Sequence, residues 1–472
     1  MQINGGAYML PKFILEKALE IALKNGADFS EIFLEDTLKN NITMTNDKME
    51  AVISGRSYGY GIRAFSGVKS VYAFSSVVTE RAIYDLAKEV ALALKTTEEK
   101  IDKTIVLNKK EIIDNHEIIF YPTMVEAKKK ADIVTEAYKA IKSYDAQIVQ
   151  ANVTYLDEDR SITVVNSEGV FAEDRAVRTR LAMNAIAGDG NQNQTGTESP
   201  GRRMGFEMFE KVDYISLAKS AARTAITMLS ADECPSGVMP VVIGNGFGGV
   251  IFHEACGHAL EATAVAKGNS VFAGKLGEKI ANEKVTAIDD GTLKNEWGSN
   301  NIDDEGTNTH KNVLIENGIL KSYLVDKLGS RRMGLEPNGC SRRQSYKFAP
   351  TSRMSNTLIA SGNDENDDIL ASVANGLYAK KMGGGSVNPV TGEFNFAVQE
   401  GYILKNGKID RAVRGATLIG KGSEVLPNID MVGKNLALAE GMCGSVSGSI
   451  PTCVGQPMIR VSSMTVGGRE AK

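Results

Sequence analysis

Two of the chain's four histidines flank a glutamate in His253-Glu254-Ala255-Cys256-Gly257-His258, within an otherwise apolar segment that reads as a helix. Two neutral imidazoles can hold Zn²⁺, and an adjacent carboxylate that is not a ligand can take a proton from a water activated there. The spacing is unusual. Five positions on a regular helix rotate the two rings apart by about 140°, whereas the four of a His-Glu-x-x-His helix leave only about 40°. One extra residue in the turn, a π-bulge, restores a shared face, and Gly257, which lacks a Cβ, is the position best suited to accept it. The sequence therefore predicts a bulged or interrupted helix. The competing reading puts one histidine inward, one outward, and Glu254 in solvent.

A third ligand has two candidates. Cys443 lies between glycines in Gly441-Met442-Cys443-Gly444-Ser445, where the backbone can bring sulfur to a metal held elsewhere. Two imidazoles and one thiolate form a catalytic zinc set with an open fourth position. Cys256 shares the short histidine segment, which leaves little room for three tetrahedral ligands, so Cys443 is preferred. Glu254 is the candidate general base. Glu261, three residues after His258, can accept a ring N–H from it or lie on the surface.

The acidic stretches Asp289-Asp290-Gly291 and Asp303-Asp304-Glu305-Gly306 lack the ligand spacing of a calcium loop and read as turns near the cleft. His310 is a substitute ligand, and His116 reads as exposed. Gly383-Gly384-Gly385-Ser386 lacks the ending of a phosphate loop and reads as a close backbone approach or a hinge.

With 472 residues, 42% hydrophobic and 24% charged, the chain is an ordinary globular protein of two or three domains. A net charge of −4 gives no case for nucleic acid or an anionic membrane as partner. No apolar run is long enough to span a bilayer and no signal-peptide pattern opens the sequence, which predicts a cytoplasmic chain. Five cysteines, an odd number, without a leader do not suggest a disulfide framework. Cys234, Cys340 and Cys453 read as small buried hydrophobes.

The elements that must position these groups follow from periodicity. Residues 10–25, 79–94 and 213–230 read as amphipathic helices, and 123–144 as another, opened by the capping box Thr123-Met124-Val125-Glu126. Residues 30–35, 41–45, 49–54, 58–65 and 69–75 alternate as short strands, as do 147–155, 161–166, 170–175 and 177–186. Residues 96–110 read as an exposed connector and 188–201 as a mobile loop. Pro235-Ser236-Gly237 marks a boundary, beyond which 238–243 is a buried strand before the histidine helix and short strands joined by Asn317-Gly318, Thr391-Gly392 and Asn406-Gly407. The expected class is α+β. Residues 1–232 would form an antiparallel sheet with helices on one side, and residues 233–472 a β-rich, rolled or barrel-like domain carrying the metal-binding helix.

The histidine segment, followed by Asp303-Asp304-Glu305-Gly306, Asn317-Gly318-Ile319-Leu320, Gly401-Tyr402-Ile403, Gly441-Met442-Cys443-Gly444 and Gly455-Gln456-Pro457, resembles the TldD/PmbA family of metallopeptidases over nearly the whole chain. It is similar to the TldD branch, because the TldE or PmbA branch lacks His-Glu-x-x-x-His. The resemblance implies a zinc-dependent peptidase acting on unfolded peptides, with His253, His258 and Cys443 as ligands and Glu254 as base. It also implies a dimer with TldE, a homodimer being the other arrangement, that encloses the active site. Two other readings compete: a non-catalytic assembly or regulatory subunit with structural zinc, and thiol redox chemistry, for which a Cys-x-x-Cys pair is missing.

Overall fold

The computed structural model describes residues 10–94, 103–388 and 390–469. The N-terminal sheet is built on four strands of 17 to 19 residues, β1 (Phe29–Thr45), β2 (Lys48–Ser66), β4 (Ile148–Asn166) and β5 (Val170–Gly188), with β3 (Lys69–Ser75) and β6 (Asn193–Glu198) beside β2 and β5. At about 3.3 Å per residue the long strands reach roughly 60 Å. The sequence pattern broke each of them in two, because their middles are polar. Those middles are held by cross-strand charge pairs, Asp36 to Arg56 at 2.6 Å and Lys39 to Glu158 at 2.6 Å, so the backbone ladder runs through.

Successive side chains on a strand face opposite ways. Ile32 and Leu34 of β1 meet α1 (Lys12–Ala22) and α2 (Glu80–Ala93). Val153, Tyr155, Leu181 and Met183 meet α3 (Ala127–Lys142) and α4 (Tyr214–Leu229). All four helices thus lie on one face, each buried through its apolar stripe. Thr79 and Asp213 cap α2 and α4 through their side chains.

Several local expectations are corrected. The capping box does not form: Pro122–Met124 makes a separate 3₁₀ turn, Val125 is extended, and α3 starts at Ala127 after Glu126. The loop at 188–201 contains β6, paired in register with β5, since an edge ladder accepts polar side chains facing solvent. The connector at 96–110 falls partly outside the described residues, and in the remainder Ile105 and Leu107 are buried.

The C-terminal half contains β7 (Gly237–Ile243), β8 (Ala287–Asp290), β9 (Lys311–Glu316), β10 (Asn356–Ile359), β11 (Asn375–Asn388), β12 (Glu393–Lys405), β13 (Thr417–Lys421), β14 (Ala437–Ser445), β15 (Gly448–Gln456) and β16 (Ile459–Gly467). Strands β11-β7-β16-β13-β12 close into a five-stranded barrel through the β11–β12 pairing. A second sheet runs β9-β8-β10-β15-β14, with β14 at its edge. The histidine segment leaves β7 and is buried between barrel and sheet, Ile251, Phe252 and Leu260 sharing one core with Val241, Phe394, Ile359 and Val454. No helix among the described residues is long and apolar enough to cross a membrane.

The uncovered face of the N-terminal sheet meets the C-terminal half through buried charge. Arg63 pairs with Glu31 at 2.9 Å and Glu305 at 2.5 Å, Arg343 with Glu31 at 3.0 Å, and Arg160 with Glu35 and Asp304 at 3.1 Å. Close by, Asp326 caps the helix Lys327–Met333 by accepting from the Gly329 amide at 3.0 Å. Burial and then the charge of Glu305 push its carboxyl up to about 7, against Arg63. A carboxyl at about 7 in the folded chain and about 3.9 unfolded holds a proton in the native state across that window, so its ionisation costs stability increasingly from pH 4 to 7 and evenly above. Asp326→Asn keeps the cap and removes the charge. Its melting temperature should exceed that of the parent by an amount that grows between pH 5 and pH 8, worth about 1 kcal/mol or more at the upper end. Calorimetry showing an equal difference at both pH values would contradict this assignment.

Candidate metal centre

The histidine segment is wound in three ways. Gly246–Gly249 is a 3₁₀ turn, Val250–Phe252 is α-helical, His253–Gly257 is a π-turn, and His258–Leu260 is again 3₁₀. The π-turn supplies the extra residue that brings both imidazoles to one side. Gly257 serves differently from the expectation: its backbone is ordinary right-handed helix, and the absent Cβ instead makes room for the Met354 sulfur packed against it.

Cys443 arrives on the edge strand β14, where it faces Ile450 of β15. Its sulfur lies 3.3 Å from His253 Nε2 and 3.2 Å from His258 Nε2, with the two rings nearly perpendicular at 82°. Tetrahedral zinc, with bonds of about 2.3 Å to sulfur and 2.0–2.1 Å to nitrogen, separates N and S ligands by about 3.6 Å. Both N···S distances therefore stand within a few tenths of an ångström of that spacing, all three ligand atoms lie within 4.8 Å of one another, and their chemistry fits the ion. Among the described residues this is the one group of three such side chains converging on a point.

The electrostatics favour a thiolate. Burial opposes ionisation of Cys443, but the neighbouring imidazoles outweigh it and bring the thiol down to about 3. Burial likewise opposes a charged His258, yet Glu261 and Cys443 hold its pKa well above the ordinary imidazole value. Glu261 is buried, with Oε1 3.1 Å from His258 Nδ1. It accepts the Nδ1 proton and leaves Nε2 free to bind a cation, so the surface alternative is overturned. His253 Nδ1 is buried without a hydrogen-bond partner among the described residues. Glu254 is the more open group: its carboxylate lies 3.7 Å from His258 Nε2 with 27% of the side chain exposed, against 12% for His258.

Two residues unmarked in the sequence hold the sulfur strand. Fully buried Arg353 donates from Nη2 to the Cys443 carbonyl at 2.6 Å and from Nη1 to Ser447 Oγ and the Gly448 carbonyl. The single tryptophan, Trp297, donates to the Gly441 carbonyl at 2.9 Å. Their partners at Cys443 and Gly441 are backbone carbonyls remote in sequence, which leave no residue-type signal.

The other candidates lie elsewhere. Cys256 points into a small apolar space with Ile243, Ile251 and Val425, and burial pushes its thiol strongly up. His310 is exposed, whereas His116, expected outside, is buried. Its Nδ1 accepts from the Asn295 amide, and burial with nearby Arg203 and Arg178 pushes it down to about 3. Asp289 and Asp290 end strand β8 instead of forming a turn, with Asp289 accepting from Ser355 and Thr357. The oxygens of Asp303 accept from the Glu305, Thr307 and Ser341 amides, and Asp304 and Glu305 pair with arginines, so that turn is committed to holding the two halves together. Gly383, Gly384 and Gly385 lie in β11 where its register with β12 slips.

Residues 30–95, 120–229 and 236–468 match, in order, domain 1, the central domain and the C-terminal domain of the PmbA/TldA metallopeptidases. The chain is 35% identical over 460 residues to a metalloprotease TldD homolog of Buchnera aphidicola, covering 96% of this chain and 95% of the relative. It is 27% identical to a zinc metalloprotease TldD homolog of Saccharolobus solfataricus, covering 96% and 99%. In fold it matches the crystal structure of TldE from Thermococcus kodakarensis with a TM-score of 0.76 at 18% identity, covering 96% and 100%. Glu261→Gln should weaken zinc binding by about 10- to 100-fold without unfolding the chain, as competition with a chromogenic chelator would measure. Unchanged affinity would remove Glu261 from the site.

Proposed function

The chain belongs to the PmbA/TldD metallopeptidase family, in its TldD branch, and from that premise we propose that it is a zinc-dependent peptidase acting on unfolded peptides. Its ligands are His253, His258 and Cys443, and its general base is Glu254. The observation that carries this reading is the convergence of both imidazole Nε2 atoms on one sulfur, with the part-exposed Glu254 carboxylate 3.7 Å from His258 Nε2. When bound, zinc supplies the Lewis acidity that activates a water and polarises the scissile carbonyl. Glu254 accepts the water proton and passes it to the leaving amine. Glu261 keeps His258 in the tautomer whose Nε2 faces the site.

A groove of about 730 Å³ supports an extended substrate. It is walled by β6 and β14, both at sheet edges, and by Asn245 and Phe247 at the start of the histidine segment. It therefore borders both elements that bring ligands to the centre. Backbone pairing along a sheet edge recognises a chain with little regard to its side chains. We read residues 1–232 and 233–472 as two domains, and TldE as the partner that would enclose the groove; a homodimer is the other arrangement. The fold likeness to TldE of Thermococcus kodakarensis, a protein of that partner branch, supports the pairing.

The alternative is a non-catalytic subunit with structural zinc. Against it stand Glu254, which a structural site does not need, and the clamp on the Cys443 strand, which uses Arg353 and Trp297 in place of metal. Glu254→Gln should lower cleavage of an unstructured peptide by about 10²- to 10⁴-fold with zinc content near one per chain. Chelation should abolish cleavage while the circular dichroism spectrum persists. Undiminished turnover in the variant, or unfolding on chelation, would reject the catalytic reading.

A further inference from the structure

Between the inner face of the N-terminal sheet and the β14–β15 hairpin lies a cavity of about 180 Å³. A volume of that size holds about six waters, or one amino-acid side chain. It sits level with the centre, since Ile450, on its wall, is the cross-strand partner of Cys443. Six cations face it and only two carboxylates, Glu158 and Asp304.

Three of the cations are already matched. Lys39 pairs with Glu158, Arg160 with Glu35 and Asp304, and Arg343 with Glu31. Arg178, Arg180 and Arg342 are not. Among the described residues none of the three has a carboxylate within 4.0 Å. Arg178 donates to the Trp297 and Ser299 carbonyls and to Asn300, Arg180 to Ser199 Oγ, and Arg342 to the Met354 carbonyl. Carbonyl oxygens satisfy N–H groups but carry no compensating charge. Burial, with Arg203 beside Arg178 and Arg353 beside Arg342, outweighs the opposing charge of Glu158 on the first and of Asp304 and Asp289 on the second, and brings these two guanidinium groups down to about 9 and about 10. Each nonetheless keeps its charge at neutral pH. Arg343 Nε on the same wall is buried without a hydrogen-bond partner among the described residues. The remaining wall includes Leu156, Trp297, Ile450 and Pro451, which suit an aliphatic stem.

We infer that this cavity is a subsite for a carboxylate of the bound peptide, held by Arg178, Arg180 and Arg342 while its carbon stem packs on Trp297 and Ile450. The inference rests on the peptidase reading for the identity of its ligand. The carboxylate can come from the peptide's C-terminus or from an Asp or Glu side chain, since both offer a planar pair of acceptors that guanidinium forks match. The apolar stem region and the two fixed carboxylates on the wall favour a singly charged group on a hydrocarbon arm over phosphate.

The test uses the full chain with Glu254→Gln, so that binding is read without turnover, and four fluorescent peptides. These differ in a C-terminal acid or amide and in an internal Glu or Gln. One acid-to-amide change should weaken binding about tenfold or more, the size expected for loss of a charge-assisted hydrogen bond, and the change that does so names the source. Adding Arg342→Gln or Arg180→Gln should reduce that preference to within about twofold. Arg180→Lys, which keeps the charge, should restore part of it. Four peptides binding alike, or an undiminished preference in folded Gln variants, would overturn the subsite. Cleavage by the parent chain separates the two readings. If peptides bind with the preference but are never cut, the peptidase reading fails and the subsite stands. If they are cut without preference, the reverse holds. If none binds, both fail.

Discussion

The structure turns on a winding constraint. Side chains five residues apart share a face of a helix only where the hydrogen-bond step lengthens to five, and such a turn is stable only when its surroundings enforce it. Here His253–Gly257 is pressed between the barrel and the second sheet, with Phe252 and Leu260 fixed in the core on either side. Met354 fills the space a Cβ at Gly257 would need. The packing thereby holds both imidazoles on one side of the segment.

The sulfur is held to the same standard by different means. Strand β14 is an edge strand, and an edge left to itself frays. Arg353 and Trp297 tie its carbonyls at Cys443 and Gly441 to the body of the fold. Arg353 belongs to a wider pattern of buried cations at the junction of the two halves. Arg63, Arg160 and Arg343 are matched by acids from the 303–305 turn and from β1, and breaking one such buried pair costs about 3–5 kcal/mol. The junction is thus rigid where charges are matched. Where they are not, at Arg178, Arg180 and Arg342, it encloses the cavity beside the centre.

Much of the centre was legible because its chemistry depends on residue type. A glutamate between two histidines narrows the possibilities, and the mismatch with helical period itself called for the π-turn that His253–Gly257 forms. Helices α2 and α4 were legible from their periodicity, and the structure adds the caps at Thr79 and Asp213. The long strands were not, since period-2 patterning fails where Asp36, Lys39 and Arg56 sit mid-strand and their partners lie on neighbouring strands. The acidic stretch at 303–305 read as a turn near the cleft, and its burial was illegible for a similar reason: its arginine partners are 39 to 242 residues away in the chain.

The sequence by itself determined what depends on local order: which side chains could bind a cation, where the helical period had to be broken, and the α+β class, because periodicity and residue chemistry are properties of neighbours along the chain. Only the tertiary structure decided that Cys443 rather than Cys256 meets the imidazoles, that Glu261 and His116 are buried, and that Arg353 holds the sulfur strand. Each of these is a contact between segments that the chain keeps far apart, fixed by the packing of sheet against barrel, and no local pattern carries it.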